Sequence, residues 1–137
     1  MNNGEYKSNE TRQQIEEVLH KIKQCVKSNC YVVALGENRQ ENRSFIQNYN
    51  IRMTKLKNIL LSIQVDDFCY TLQNTNEGYE HEILYVFAPQ VELFNALDER
   101  ETVSIYAKFN LLEQPNGRKV VVISFHGLNY PISYPFR

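Results

Sequence analysis

The 137-residue chain carries a formal net charge of -1, 42% hydrophobic residues and nine tyrosines, a composition typical of one folded domain. No apolar run approaches the roughly 18 residues of a membrane span. The first residues also lack the apolar core of a signal peptide, so we expect a cytoplasmic protein without a membrane partner. Cys25, Cys30 and Cys69 form no CxxC pair and leave an odd thiol, which argues against a disulfide framework and a zinc site. We therefore expect neither a metal nor another cofactor.

The charges are distributed unevenly along the chain. Basic residues crowd its middle with only Glu41 against them: Arg39, Arg43, Arg52, Lys55 and Lys57. Between Asp66 and Glu101, nine acidic residues face only Arg100. A basic face can bind a polyanion such as RNA, and an acidic face can bind a basic partner segment. Two solvated surfaces give the same pattern, so composition leaves both interpretations open.

The first half of the chain predicts helices. Apolar residues at spacings of three and four predict a helix over about 10–27, capped by Ser8 or Asn9. The residues of its apolar stripe are Ile15, Val18, Leu19, Ile22, Cys25 and Val26. Thr54 is the predicted cap of another helix, whose buried stripe is Leu56, Ile59, Leu60 and Ile63. The polar stretch 37–50 predicts a mobile loop or a loosely docked helix.

Shorter segments predict strands and turns. The β-branched run 30–35 is a strand ending before Gly36 or an extended lead into a helix. Segment 65–72 is either a short helix capped by Asp66 or an edge strand. Residues 74–78 have the composition of a turn. Residues 82–87 predict a strand that stops at Pro89, because proline cannot donate to a sheet ladder.

The C-terminal third predicts a β-hairpin that carries the main candidate site. In the strand 104–109, apolar residues alternate with Tyr106 and Lys108, which therefore point to the opposite face. The segment 115–117 contains Asn116 and Gly117, which tolerate the positive φ of a hairpin turn, and the returning strand ends on His126. A tyrosine, a lysine and a histidine can thus share one sheet, where they can move protons and hold a phosphate.

Together these elements predict one α+β domain over residues 1–137. Its antiparallel sheet has at least three strands, and the N-terminal helices pack on one face of that sheet.

Four short motifs follow one another over about residues 54–136. They are Asp67-Phe68 after a helix, Val86-Phe87-Ala88-Pro89, Tyr106-Ala107-Lys108-Phe109 and Val122-Ile123-Ser124-Phe125-His126. This order resembles the MqsR-type toxins, and the tail from Tyr130 to Phe136 is similar to the tails of Gram-positive members. The resemblance implies a RelE-like fold and a metal-independent mRNA endoribonuclease that acts on free or ribosome-associated mRNA. It also implies a cognate antitoxin protein that silences the enzyme.

RNA cleavage without a metal uses the neighbouring 2′-hydroxyl as nucleophile, so the protein must move protons and stabilise a phosphorane. His126 is the candidate acid or base, because histidine exists in both protonation states near neutrality. Tyr106 can orient the phosphate, and Lys108 can supply positive charge if it faces the same way. Tyr70 and Tyr130 can contact phosphate or stack on an unpaired base. Further RNA-binding candidates are Arg52, Lys55, Lys57, Arg118 and Lys119.

The chain departs from the family pattern at several of these positions. Tyr70 stands where the best-known members carry lysine, and Leu84 stands where they carry glutamine. His126 replaces the lysine that follows Ser-Phe, whereas Tyr106 is retained. Two hypotheses follow from these departures. One is a ribonuclease with rearranged catalytic roles, and the other is a catalytically silent RelE-like module that binds RNA or protein. In the second, His126 is a strand-end residue and Tyr106 an ordinary part of the sheet surface.

Overall fold

The structure is a computed structural model that describes residues 5–6 and 10–137. Its helices are α1 (Arg12–Lys27), α2 (Gln40–Asn48) and α3 (Met53–Ser62), followed by a 3₁₀ turn (Val65–Asp67). Its strands are β1 (Glu5–Tyr6), β2 (Tyr31–Val33), β3 (Phe68–Gln73), β4 (Ile83–Phe87), β5 (Gln90–Phe94), β6 (Arg100–Gln114) and β7 (Gly117–Gly127). No helix in the described part of the chain is both long enough and apolar enough to cross a membrane.

The fold is α+β, as predicted, but its sheet is mixed rather than wholly antiparallel. Among the described residues the strand order is β1-β3-β4-β6-β7-β2, and β5 pairs with the first part of β6. Strand β2 runs parallel to β7, with Tyr31 opposite Val120 and Val33 opposite Val122. Because helices precede and follow β2 in the chain, no hairpin partner is available to it. It therefore joins the open edge of β7.

The core lies between the helices and one face of the sheet. Phe68, Phe87, Phe109 and Phe125 are all 0% exposed on this face. Phe87 makes edge-to-face contacts with Phe68 at 5.5 Å and with Phe109 at 5.9 Å between ring centroids. Burial of each such ring contributes about 1.5–3 kcal/mol. The predicted stripes of α1 and α3 complete this core. Val18 is partly buried, and the other predicted residues are buried, namely Ile15, Leu19, Ile22, Cys25, Val26, Leu56, Ile59, Leu60 and Ile63.

The helix starts differ from the predictions. Helix α1 begins at Arg12, where Thr11 and Gln14 form a reciprocal capping box. The predicted caps, Ser8 and Asn9, lie outside the described residues. In α3 the prediction of a Thr54 cap is wrong, because Thr54 lies inside the helix and Arg52 occupies the N-cap without a side-chain hydrogen bond.

Two segments with alternative predictions are now assigned. The polar stretch 37–50 contains α2, which is docked on β7 by the contact of Phe45 with Phe125 at 5.8 Å between ring centroids. Segment 65–72 forms both a 3₁₀ turn and the strand β3. The predicted Asp66 cap is wrong, because Gln64 occupies the N-cap of the turn, and β3 is not an edge strand, because it lies between β1 and β4. Strand β4 ends before Pro89, as predicted. A further strand, β5, begins directly afterwards at Gln90, and no sequence pattern predicted it.

The predicted C-terminal hairpin is present, and Gly117 closes its turn with a φ of 130°. Strand β7 also carries a β-bulge in which Ile123 is the extra residue. Val122 before the bulge and Phe125 after it both face the core and are 0% exposed. The bulge reverses the alternation, so His126 lies on the face of the sheet that is turned away from the helices.

Candidate functional site

A cavity of about 710 Å³ lies on that face, which we call the open face. Strands β3, β6 and β7 contribute side chains to it, and the tail that follows β7 forms one wall. All four predicted catalytic residues, Tyr70, Tyr106, Lys108 and His126, line this cavity.

The strand register explains why these side chains meet. Tyr106 is the Cα partner of His126, and Lys108 lies two residues further along β6, hence on the same face. On the next strand Val86 is opposite both Lys108 and Tyr70. Val86 is a small side chain with 0% exposure, so it leaves room above it for the larger polar groups on either side.

The imidazole of His126 is oriented by its Nδ1 atom. Nδ1 lies 2.8 Å from the carbonyl oxygen of Gly127, and a carbonyl can only accept, so Nδ1 carries the proton of the neutral ring. Glu41 Oε2 lies 3.8 Å from the same nitrogen. The ring stacks on Tyr106, with centroids 5.5 Å apart and planes at 23°. Nε2 makes no hydrogen bond to the described part of the chain, so its lone pair is available for proton transfer.

Two tyrosine hydroxyls meet in the cavity. The hydroxyls of Tyr70 and Tyr106 lie 3.1 Å apart, and either one can be the donor. Each hydroxyl can both donate and accept, so together they offer an adaptable pair of groups to a phosphate oxygen.

Lys108 is a cation held in an unfavourable position. Burial, and secondarily the nearby Arg39 guanidinium, lower the pKa of Lys108. Among residues 10–137, no carboxylate forms an ion pair with Lys108 or with Arg39. An unpaired, partly buried cation is costly, and perturbed groups of this kind in a cleft are candidates for function. The cavity holds two basic side chains, Arg39 and Lys108, against one carboxylate, Glu41, and this balance favours an anion.

The predicted RNA-binding residues are divided between distant parts of the surface. Tyr130 lines the cavity and is 81% exposed. Arg52, Lys55 and Lys57 belong to the start of α3, which packs on the core face, and they do not reach the cavity.

The remaining two candidates are also away from the cavity. Arg118 and Lys119 lie beside the hairpin turn, where Arg118 pairs with Glu113 at 2.9 Å. Of the basic residues in segment 39–57, Arg39 alone lines the cavity. The structure therefore does not join the basic segment into one continuous track to the site.

The acidic stretch 66–101 does not form a single free face. Asp66 pairs with Arg12 at 2.9 Å, and Asp67 pairs with Arg137 at 3.0 Å. Glu101 accepts a hydrogen bond from the Tyr49 hydroxyl at 2.8 Å. Its bonds to Asn95 and Tyr49 lower the pKa of Glu101. Much of the acidic charge thus has internal partners.

Several cavity residues were not predicted as site residues. Arg39 and Glu41 belong to the start of α2, and Ser124 and Asn129 belong to β7 and the tail. Arg39 was predicted as part of the basic, RNA-binding segment and Glu41 only as the acid within it, because segment 37–50 was predicted as a mobile loop or a loosely docked helix. The signal that could have located them is Phe45, the apolar residue that anchors α2. Leu84, on β4, is buried and does not line the cavity.

The described residues contain no group of three His, Cys, Asp or Glu side chains arranged to hold a metal ion. Cys25, Cys30 and Cys69 are free thiols. No protein-family model matches the chain, and searches of curated proteins and of solved structures give no significant match. Fold and site by themselves define an α+β protein with a cationic cavity on the open face, in which a histidine has one ring nitrogen free to react.

Proposed function

We propose that this protein is a metal-independent endoribonuclease with a RelE-like fold, the toxin of a type II toxin-antitoxin pair. The observation that carries the proposal is the convergence of Tyr70, Tyr106, Lys108 and His126 on one cavity. The sequence pattern alone predicts these residues as the catalytic set. Their common location supports a shared chemical task.

In the proposed reaction, His126 accepts the proton of an RNA 2′-hydroxyl at Nε2. The 2′-oxygen forms a bond to the adjacent phosphorus, and the bond from phosphorus to the 5′-oxygen breaks. The products are a 2′,3′-cyclic phosphate and a 5′-hydroxyl. Proton transfer by a positioned histidine contributes roughly 10²–10⁴-fold to such a rate.

The cations act on the charge that develops during this reaction. Lys108 donates a proton to the departing 5′-oxygen, and its lowered pKa makes its ammonium group a stronger acid for that step. Arg39, together with the hydroxyls of Tyr70 and Tyr106, stabilises the negative charge of the phosphorane. Tyr130, exposed at the rim of the cavity, stacks on an unpaired base.

The partners in this proposal are an mRNA, free or on the ribosome, and a cognate antitoxin protein, and the compartment is the cytoplasm. The resemblance of the four sequence motifs supports them. Inhibition of translation and growth would be the consequence of mRNA cleavage.

A second candidate is a catalytically silent RelE-like module that binds RNA or protein. It is favoured by Leu84, an apolar buried residue where the family carries glutamine, and by the Tyr70 hydroxyl, which is bonded to Tyr106. In this alternative the same cavity binds a phosphate without cleaving the chain that carries it.

The test is cleavage of a structured mRNA by the purified protein in EDTA, with the ends mapped by primer extension. We expect discrete cuts with 5′-hydroxyl ends, and at least about a 100-fold loss of rate in His126→Ala. His20→Ala, which alters an exposed histidine of α1, is the matched control and should cut normally.

The alternative outcomes are also decisive. Intact RNA from a folded protein calls for the same assay with translating ribosomes, and cuts that appear only there identify a ribosome-dependent enzyme. No cleavage in either assay, or equal cleavage by His126→Ala, would reject the proposed catalytic mechanism.

A further inference from the structure

We propose that Asn42 is the positioning residue of the site, and that it turns His126 into the cavity by holding the β-bulge of β7. Asn42 lies on α2 and is 1% exposed. It is not among the residues that line this cavity, although with Ser124 and His126 it borders a smaller cavity of about 270 Å³ that shares residues with it. Its hydrogen bonds are made to backbone groups, so it acts through the strand that carries the histidine. The functional consequence rests on the proposed ribonuclease activity, whereas the structural role can be tested without it.

The side-chain amide of Asn42 is bonded to the bulge residue Ile123 and to Phe125 just beyond it. Its nitrogen donates to the carbonyl oxygens of Ile123 at 2.9 Å and of Ala34 at 2.8 Å. Its oxygen accepts from the backbone N–H of Phe125 at 2.8 Å. All three partners are backbone groups, and two of them flank Ser124 in the disturbed part of the ladder.

A bulge leaves backbone groups without their usual partners across the ladder, and buried groups of this kind must be satisfied elsewhere. Asn42 supplies a donor to the carbonyl of Ile123 and an acceptor to the N–H of Phe125. An aspartate of the same shape could accept from Phe125 but could not donate to the two carbonyls. The amide is therefore specifically matched to this backbone geometry.

The bulge decides which face His126 occupies. On the turn side of the bulge, Phe109 is opposite Val122. If that register continued along the hairpin, Phe125 would lie opposite Tyr106, and His126 would turn toward the core face. The observed partner of Tyr106 is instead His126. The bulge thus places the histidine beside the tyrosine.

Helix α2 sets two further features of the site from the same turn. Arg39, its N-cap residue, lines the cavity, and Glu41 Oε2 faces His126 Nδ1 at 3.8 Å. Glu41 also accepts from Asn129 of the tail at 2.9 Å. Because Asn42 fixes this turn to β7, its three bonds locate the cation and the carboxylate relative to the histidine.

The experiment compares the full-length protein with Asn42→Ala and the matched control Asn48→Ala, which alters an exposed asparagine at the end of the same helix. Nuclear Overhauser contacts between the rings of Tyr106 and His126, and the nitrogen shifts of the His126 ring, report the arrangement directly. We expect Asn42→Ala to lose the ring contacts and the single Nδ1–H tautomer. Asn48→Ala should keep both.

RNA cleavage supplies a second readout. We expect kcat to fall about 100-fold in Asn42→Ala with a much smaller change in KM, because a small misplacement of a reacting group has an effect of that size. A purely stabilising role would lower the melting temperature without moving the ring contacts. Retention of those contacts in folded Asn42→Ala would therefore overturn the proposal.

If Asn42→Ala does not fold, amide exchange of the wild-type protein decides the matter. An N–H of Phe125 that is protected as strongly as its strand neighbours supports the bond to Asn42, and one that exchanges freely overturns the proposal. If the wild-type protein cuts no RNA either alone or with translating ribosomes, the proposed function fails, yet the ring contacts still reveal whether Asn42 positions His126.

Discussion

The two faces of this sheet follow different physical rules. The core face carries Phe68, Phe87, Phe109 and Phe125, all 0% exposed, under a layer of helices. The open face carries tyrosines, a lysine and a histidine around a cavity. On the core face, burial of each apolar side chain stabilises the folded state. On the open face Lys108 is held with a lowered pKa and without an ionic partner among the described residues.

This difference separates residues that stabilise the fold from residues that destabilise it and serve the site. Burial of Phe109 needs no explanation beyond the hydrophobic effect. Partial burial of Lys108 works against stability, and natural proteins tolerate such groups mainly at functional sites. Substitutions on the two faces should therefore have opposite effects.

The largest expected effect on stability is on the core face. Phe109→Ala should lower the free energy of unfolding by about 3–5 kcal/mol, because it removes a fully buried ring that packs on Phe87. Urea unfolding followed by circular dichroism measures this loss. Phe94→Ala, which alters a phenylalanine that is 56% exposed, is the control and should cost much less. Equal losses in the free energy of unfolding for the two variants would contradict the prediction that burial of Phe109 stabilises the fold.

On the open face, Lys108→Met should stabilise the protein at pH 7 and abolish most RNA cleavage. The folded-state pKa of Lys108 is lowered by burial and by Arg39. Between that value and the unfolded-state value of about 10.4, the unfolded chain binds the extra proton, so wild-type stability rises with pH across this window. The advantage of Lys108→Met should therefore be largest at pH 7 and shrink toward pH 10.

Urea midpoints at pH 7, 8, 9 and 10 check this prediction, together with the cleavage assay at pH 7. Lys55→Met, in which an exposed lysine of α3 is replaced, controls for the loss of one positive charge. A Lys108→Met protein that is less stable than wild type at pH 7 would contradict the assignment of an energetic cost to this lysine.

The smallest expected effect concerns the tail that forms a wall of the cavity. Arg137 pairs with Asp67 at 3.0 Å, and its guanidinium carbon lies 3.7 Å from the centre of the Tyr134 ring. Arg137→Ala should cost about 1 kcal/mol, because the ion pair is partly exposed and the stacked contact adds little more. Thermal unfolding at low salt and at 1 M salt should show a smaller difference at high salt.

The control for the tail is Arg100→Ala, which breaks a more exposed pair with Glu92. It should change stability by an amount too small to measure. If both variants lose the same amount, the tail is not anchored by Arg137.

Much of the core face could be predicted from the sequence. The apolar stripes of α1 and α3 were placed correctly, because a helix that packs on a core repeats its apolar residues at spacings of three and four. The boundaries were less accurate. Thr54 has the residue type of a cap but lies inside α3, since the helix begins earlier, beside the buried Ile51. Pairing partners were also missed, because β2 and β5 are too short to reveal their neighbours.

The open face was predictable only in part. Local alternation in β6 was enough to place Tyr106 and Lys108 together, because successive side chains of a strand point to opposite faces. The same rule applied to β7 from Val122 onward would have turned His126 toward the helices. The bulge at Ile123 and the amide of Asn42, which is 81 residues away from Ile123 in the chain, correct this.

Local periodicity and turn composition are enough to predict the α+β class, the helical stripes, the hairpin and the residue types available for chemistry. The parallel pairing of β2, the docking of α2 and the path of the tail against Cys69 and Ala88 follow from the three-dimensional packing. This packing also decides which way His126 points. These features depend on contacts between residues far apart in the chain, and no local pattern of residues records them.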